Sequence, residues 1–265
     1  MKGFSAHIGY LFQELPLEER FAAARDAGFS MVEHPSLYAL PAIRVRQLLS
    51  DCGLGIVQSS FPAGEIARGE KGFAALPDQI ERFRASVSVS LDYAVQAGIP
   101  ALHCMAGVRP SGIDPQRMWD TYIANMRVAA EAAAERGVLV LIEPISSGSI
   151  ADYFVEDPRD AVRAIADIGA SNVRLLYDVF HATMIGSDPF AFIRDHAALI
   201  YHVHIADHPG RHEPGTGTID FDRLYATLED VHYDGFVGCE YAPRGETREG
   251  LGWMKRAGTA RYARA

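Results

Sequence analysis

The segment Val138-Leu-Val-Leu-Ile-Glu143 is a short apolar run that ends in a carboxylate, and an amphipathic stretch from Pro158 to Ile168 follows it. A short apolar run predicts a buried parallel strand, and apolar residues spaced by three and four predict a helix. The same alternation continues toward both ends of the chain, which predicts repeated βα units. The other candidate strands are Ala6 to Tyr10, Met31 to His34, Gly55 to Ser59, Ala101 to Met105, Val173 to Asp178, Ile200 to Ile205 and Phe236 to Glu240.

Candidate helices fill the intervals between these strands. Two of them have a clear start, because Asp157-Pro158 and Asp188-Pro189 each place an N-cap before a proline at the first helical position. These two are Pro158 to Ile168 and Pro189 to His196. The remaining candidates are Leu17 to Ala27, Ile43 to Asp51, Asp78 to Ala97, Gln116 to Arg136, Phe221 to Val231 and a last helix that begins near Thr247.

About eight βα units on roughly 250 residues predict an α/β fold of the (β/α)8 TIM barrel type. A doubly wound sheet would normally carry a glycine-rich phosphate fingerprint after its first strand, and none follows Tyr10. No linker or composition shift divides the chain, so we expect one barrel domain over residues 1–256. Residues 257–265 have weak periodicity and are expected to form a C-terminal tail that frays or packs on a partner subunit.

Composition excludes several classes of function. The 265 residues carry a net charge of -9 and no basic stripe, which argues against nucleic acid as a partner. Apolar runs such as Val138 to Ile142 are far shorter than the roughly 18 to 20 residues that span a bilayer, so no membrane partner is expected. The chain begins without an apolar leader region, and its cysteines are odd in number and widely spaced, which together predict a cytoplasmic protein with reduced thiols. These cysteines are Cys52, Cys104 and Cys239.

Four late strands carry an ionisable side chain at or near their carboxyl ends: Glu143, Asp178, His204 and Glu240. In a barrel these ends converge at one mouth, so the four side chains should become neighbours. Three carboxylates close together repel one another, and a cation is the simplest partner that makes such a cluster stable. Three oxygen ligands and one imidazole suit Mn²⁺, Mg²⁺ or Co²⁺ in an open, catalytic site. The alternative for each residue alone is that it caps a helix or satisfies a loop.

Several motifs resemble the hydroxypyruvate isomerase family of the xylose-isomerase-like barrels. They are Leu141-Ile-Glu143-Pro-Ile, Tyr177-Asp178-Val-Phe-His181 and, with the highest specificity, His202-Val-His-Ile-Ala-Asp-His-Pro-Gly-Arg-His-Glu-Pro-Gly215.

The resemblance implies that Glu143, Asp178, His204 and Glu240 bind a divalent metal and that Glu143 and Glu240 also form the catalytic acid/base pair. It implies substrate contacts from His181 and Arg211. Two further residues, Glu65 and His103, follow candidate strands and are therefore expected to line the mouth as substrate contacts.

Several positions depart from the usual family pattern. Ser146 stands where Asn is expected, and Ala242 stands where Lys is usual. His204 stands where the isomerases generally have Gln, and in this respect the chain resembles the related ketose 3-epimerases. The segments Ser146 to Ser149 and Phe180 to Ala182 are more similar to the 2-oxo-tetronate isomerases of the family. The metal ligands are retained, whereas the substrate is left open.

The expected activity is isomerisation of a small hydroxy-oxo acid, either hydroxypyruvate to tartronate semialdehyde or a 2-oxo-tetronate, through a metal-stabilised enediolate. Return of the proton to the adjacent carbon gives isomerisation, and return to the opposite face of the same carbon gives epimerisation. A ketose 3-epimerase with the same site is therefore the first alternative. More distant ones are a nuclease related to the abasic-site endonucleases, which the charge of -9 opposes, and a non-enzymatic sugar-binding protein. The resemblance implies a homodimer or homotetramer.

Overall fold

The computed structural model describes residues 1–256, so the predicted tail at 257–265 lies outside the described residues. Every paired strand is parallel to its neighbour. The strands are β1 (Gly3–His7), β2 (Met31–Glu33), β3 (Gly55–Ile56), β4 (Ser59–Ser60), β5 (Ala101–His103), β6 (Leu139–Ile142), β7 (Val173–Asp178), β8 (Ile200–Ile205) and β9 (Phe236–Cys239).

The helices lie between and after these strands. They are α1 (Leu17–Asp26), α2 (Ala42–Cys52), α3 (Ile80–Ala97), α4 (Pro115–Ala134), α5 (Pro158–Ile168), α6 (Val179–Met184), α7 (Pro189–His196), α8 (Phe221–Asp230), α9 (Thr247–Gly250) and α10 (Trp253–Arg256), with short 3-10 turns at Ile66–Arg68 and Ala197–Leu199.

The sheet curls until its two edges meet. Its strand order is β3-β2-β1-β9-β8-β7-β6-β5-β4, so β3 and β4 stand at opposite ends of the order although only Val57 and Gln58 separate them in the chain. β3 pairs with β2, and β4 pairs with β5. The predicted single strand from Gly55 to Ser59 is thus two short strands, each bonded on a different side, and together they complete an eight-fold barrel. The single-domain TIM barrel prediction is confirmed.

Inside the barrel, alternation along each strand places a polar layer directly above an apolar one. Ala101, Leu141 and Leu176 are fully buried and pack together as a small cluster. Because side chains of a strand repeat on the same face every second residue, the next inward positions on β5, β6 and β7 are His103, Glu143 and Asp178. The strand period therefore brings these three side chains to the carboxyl end of the barrel.

The predicted caps of α5 and α7 are present. The Asp157 carboxylate accepts a hydrogen bond from the backbone N–H of Arg159, and Asp188 accepts from those of Phe190 and Ala191. Within residues 1–256 no helix is long and apolar enough to cross a membrane. The three cysteines are free, Cys104 and Cys239 being buried and Cys52 partly so.

Candidate metal centre

The structure brings the four predicted metal ligands together. Glu143, Asp178, His204 and Glu240 each offer one ligand atom, and these atoms all lie within 4.8 Å of one another. They stand at or just beyond the carboxyl ends of four consecutive strands, β6 to β9. Asp178 also caps a helix, because its Oδ1 accepts a hydrogen bond of 2.8 Å from the backbone N–H of Phe180 at the start of α6. Asp178 therefore caps helix α6 with one oxygen and faces the cluster with the other.

His204 presents one ring nitrogen to this cluster and the other to a different carboxylate. Its Nδ1 lies 3.2 Å from Glu240 Oε2 and 3.7 Å from Glu143 Oε1, whereas its Nε2 lies 2.8 Å from Glu33 Oε2. Burial lowers the pKa of His204, but the charges of Glu33 and Glu240 outweigh burial and raise that pKa well above its ordinary value. Without a cation, the imidazolium therefore balances part of the charge of the carboxylates.

Arg211 neutralises a second part of the cluster. Its Nη2 lies 2.6 Å from Glu240 Oε2 and 3.3 Å from Asp178 Oδ2. The guanidinium also lies over the rings of Tyr10 and Phe180, 5.0 and 5.2 Å from their centroids. Burial raises the pKa of Glu240, but Arg211 and His204 outweigh it and hold that pKa well below its ordinary value. Glu240 is therefore ionised at neutral pH.

Glu143 has the opposite electrostatic environment. Burial and the charge of Glu240 raise its pKa to about 7, against the opposing effect of His204. Among the described residues, its Oε1 has no hydrogen-bond partner, and the Nδ1 of His204 lies close to Glu240 and Glu143 without hydrogen-bond geometry to either, although both atoms are buried. Buried polar atoms without partners are costly, and a cation between them would satisfy both. Carboxylate oxygens with one imidazole are a donor set that suits Mn²⁺, Mg²⁺ or Co²⁺, so the residues fit the predicted metal.

The loop after β8 has a backbone arrangement that presents Arg211 to the cluster. The Asp207 carboxylate accepts hydrogen bonds from the backbone N–H groups of Gly215, Gly217 and Ile219 at 2.8, 2.8 and 3.1 Å. The N–H of Arg211 donates to the carbonyl of Asp207 at 3.0 Å, and Arg211 has a φ of 57°. A Cβ on Gly217 would lie 2.2 Å from the carbonyl oxygen of His208, so only glycine fits there. Much of the motif from His202 to Gly215 therefore serves to fix the conformation of this loop.

The predicted substrate contacts lie in different places. His181 Nε2 is 3.5 Å from Asp178 Oδ2, and its Nδ1 is 3.0 Å from Ser146 Oγ. His103 Nδ1 is 3.4 Å from Glu143 Oε2, and burial lowers the pKa of His103 to about 3, so its ring is neutral. Both histidines border the cluster. Glu65 does not, because its side chain is 56% exposed and pairs with Arg68 at 3.0 Å.

Two site residues were not predicted from the sequence. His7 Nε2 lies 3.4 Å from Glu240 Oε1 at the end of β1. Glu33 ends β2, is fully buried and contacts both His202 and His204. The signal that could have found Glu33 is the same one that found the predicted ligands, since Met31-Val-Glu33 is an apolar run that ends in a carboxylate.

The fold and this cluster define a class of protein: single-domain TIM barrels that gather carboxylates and an imidazole at the carboxyl ends of their strands. Residues 21–257 match the family described as xylose isomerase-like TIM barrel. The chain belongs to that family.

Relatives of known name extend over nearly the whole chain, and they confirm the resemblance to the hydroxypyruvate isomerase family. A 2-oxo-tetronate isomerase from Pectobacterium atrosepticum is 38% identical over 255 residues, which cover 96% of this chain and 97% of that protein. The hydroxypyruvate isomerase of Escherichia coli is 35% identical over 254 residues, which cover 96% of this chain and 98% of that protein.

Solved structures give the same fold. The crystal structure of a Brucella melitensis protein named AP endonuclease, family 2, superposes with a TM-score of 0.94 at 36% identity and covers 97% of this chain and 99% of that one. A D-psicose 3-epimerase from Clostridium cellulolyticum H10 superposes with a TM-score of 0.77 at 18% identity, covering 99% and 94% of the two chains. At that identity, the likeness to the epimerase concerns the fold alone.

Proposed function

We propose that this chain is a divalent-metal-dependent isomerase of a small hydroxy-oxo acid, with hydroxypyruvate or a 2-oxo-tetronate as substrate. The observation that carries the proposal is the buried group of Glu143, Asp178, His204 and Glu240, whose ligand atoms lie within 4.8 Å of one another at the mouth of the barrel. Relatives at 35% and 38% identity over 96% of the chain bear the names of these two activities.

A bound divalent cation, Mn²⁺ or Mg²⁺ or alternatively Co²⁺, would supply Lewis-acid stabilisation of the negative charge that develops on the substrate oxygens. Asp178 and His204 would hold it, together with one oxygen of each glutamate. Burial raises the pKa of Glu143 to about 7, so this carboxyl group is suited to take or return a proton through the oxygen that the cation would leave free. Glu240 is the second member of the acid/base pair.

The remaining polar side chains orient the substrate. Arg211 and His181 approach the cluster from the side of Asp178, and His103 approaches it from the side of Glu143. The neutral ring of His103 can exchange hydrogen bonds with a hydroxyl or carbonyl group. Glu65 is left out of the proposed contacts because its side chain faces solvent and pairs with Arg68.

The test is a substrate panel with chelator controls. Hydroxypyruvate, 2-oxo-tetronates and free ketoses are incubated with the metal-stripped protein, with and without added Mn²⁺, and product formation is followed by NMR. The proposal expects turnover of an oxo acid that stops on chelation and returns with Mn²⁺. Turnover of ketoses without turnover of either oxo acid would contradict it.

One observation favours a ketose 3-epimerase as the second candidate. The resemblance implies Gln at the position of His204 and Lys at the position of Ala242 in the isomerases, so this chain would lack one positive charge near Glu240 that an acidic substrate could use. The decisive variant is Ala242→Lys. If the substrate is an oxo acid, the positive charge of the new lysine lowers KM for that acid. If the substrate is a neutral ketose, the new lysine does not lower KM.

A nuclease is not proposed, although the relative from Brucella melitensis is named an AP endonuclease. A net charge of -9 opposes binding to a phosphate backbone. Tight, salt-sensitive binding to abasic DNA in a gel-shift assay would overturn this view.

We also propose a cytoplasmic location, to which the free cysteines are suited. A homodimer or homotetramer is proposed from the resemblance and is tested by light scattering.

A further inference from the structure

Glu33 is a carboxylate buried in the barrel interior and outside the four-residue cluster. It lies at the end of β2 and is 0% exposed. Two strands, β1 and β9, separate β2 from β8 in the sheet, yet the Glu33 carboxylate reaches His202 and His204 on β8. Its side chain therefore crosses the inside of the barrel.

The Glu33 carboxylate is fully occupied by hydrogen-bond donors. Ser5 Oγ donates to Oε1, and Gln58 Nε2 donates to Oε2 at 3.0 Å. The Nε2 atoms of His202 and His204 lie 3.0 and 2.8 Å from Oε2. Four donors, from β1, from the loop between β3 and β4 and from β8, fix both the position and the rotation of this carboxylate.

The same contacts argue against a second metal site here. Ligand atoms of Glu33, His202 and His204 lie within 4.8 Å of one another. However, the imidazole nitrogens are already at hydrogen-bond distance from the carboxylate, and Ser5 and Gln58 occupy its other lone pairs. An ion would have to displace all of these bonds, so the group works as a hydrogen-bond network.

Gly238 on β9 makes room for this network. It pairs with His204 in the sheet register. A Cβ at position 238 would lie 2.3 Å from Glu33 Oε1, 2.6 Å from His202 Nε2 and 2.6 Å from His204 Cδ2. Only glycine at position 238 allows Glu33 to approach the histidines, so the contact depends on a specific residue of β9.

We infer that Glu33 is a positioning residue that fixes the His204 ring with Nε2–H donating to Glu33 and Nδ1 aimed at the cation. The inference rests on the proposed metal site. A carboxylate that accepts the second N–H of a ligating histidine fixes its tautomer and ring orientation, and the loss of such a partner typically costs 10–100-fold in metal affinity. Glu33 thus acts on the cation through His204 without touching it.

The first test is a double-mutant cycle on Mn²⁺ affinity, measured by titration calorimetry on the full-length chain. Glu33→Gln keeps the shape and removes the charge, and it is expected to weaken Mn²⁺ binding about 10–100-fold. In a His204→Gln background, Glu33→Gln is expected to change the Mn²⁺ affinity by no more than about twofold, because the residue through which Glu33 acts is gone. Ser5→Ala is the matched control, since it removes one donor to Glu33 but leaves the contact with His204.

Three results would overturn the inference. They are an unchanged affinity in Glu33→Gln, an equal loss in both backgrounds, and a loss in Ser5→Ala as large as in Glu33→Gln. The unfolding midpoint of each metal-free variant is measured alongside, so that general damage is recognised. If the wild-type chain itself binds no Mn²⁺, the proposed metal site fails together with the inference, whereas wild-type binding with no effect of Glu33→Gln removes the inference alone.

A second measurement does not depend on any Glu33 variant folding. The ¹⁵N signals of histidine are recorded for the wild-type protein loaded with Mg²⁺, and His204 is assigned from the signal that is missing in His204→Gln. The inference expects a proton on Nε2 and none on Nδ1. A proton on Nδ1, with Nε2 unprotonated, would overturn it.

Discussion

At the scale of single residues, the candidate site balances buried charges. Three carboxylates meet at the mouth of the barrel, and the positive groups that face them are the guanidinium of Arg211 and the imidazole of His204. The two glutamates have different environments as a result. Arg211 holds one oxygen of Glu240, whereas Glu143 keeps an oxygen without a partner among the described residues. Such a pair is suited to giving and taking one proton.

The most direct residue-scale prediction concerns these glutamates. Glu143→Gln and Glu240→Gln each remove a group that transfers protons, so kcat is expected to fall by about 10²–10⁴-fold or more. The measurement is steady-state turnover of the oxo acid found in the substrate panel. Glu131→Gln, on the exposed side of α4, is the matched control and should leave turnover unchanged. Retention of wild-type kcat in either site variant would contradict the assignment.

A second residue-scale prediction concerns Arg211. Arg211→Met leaves Asp178 and Glu240 without their guanidinium partner, and breaking a buried pair in this way costs about 3–5 kcal/mol when both groups are fully buried. Arg211 is 19% exposed, so the expected loss in the free energy of unfolding is smaller, about 2 kcal/mol. Urea unfolding of the metal-free protein measures it. An unchanged midpoint would show that the guanidinium does not stabilise the cluster.

At the scale of elements, the loop between β8 and α8 shows how a motif becomes geometry. Asp207 ends no strand or helix, but its carboxylate collects backbone N–H groups from across the loop. This arrangement makes the segment from Asp207 to Ile219 a fixed support for Arg211 and explains why glycine stands at position 217. The sequence made the motif recognisable, but the role of Asp207 depends on hydrogen bonds that residue spacing alone does not reveal.

The element-scale prediction is that Gly217→Ala disorders this loop while the barrel stays folded. The new Cβ would lie 2.2 Å from the carbonyl of His208, so the backbone must move and Arg211 moves with it. We expect kcat/KM to fall by about tenfold or more, since misplacement of a positioning group by about 1 Å can cost 10²-fold. Gly245→Ala is the control, because a Cβ there meets nothing within 4 Å. Equal activity of the two variants would contradict the account of the loop.

At the scale of the whole molecule, the sequence predicted the barrel because strand and helix periods are local properties. It merged β3 and β4 into one strand, since a change of pairing partner between Ile56 and Ser59 leaves no mark on hydrophobicity. It missed α6, which begins directly after β7 and has only six residues. Glu33 was not predicted as a site residue for a related reason. Its partners His202 and His204 are distant in sequence, and only closure of the barrel brings them into contact with it.

The whole-molecule prediction is that a cation stabilises the fold. An ion that binds only the native state at 100 times its Kd adds about 2.7 kcal/mol, which corresponds to roughly 5–11 °C in Tm for a domain of this size. Thermal unfolding with Mn²⁺ and with chelator measures the difference. The double variant Glu143→Gln with Glu240→Gln should lose most of it. An equal gain in the double variant would show that Mn²⁺ acts elsewhere on the protein.

The proposed function requires one divalent cation bound among Glu143, Asp178, His204 and Glu240. Anomalous diffraction from crystals soaked in MnCl₂ tests it most directly. We expect a single strong peak in this cluster, with carboxylate oxygens and Nδ1 of His204 in its coordination sphere. A refined structure with no peak there, or with these four side chains turned away from a peak bound elsewhere, would contradict it.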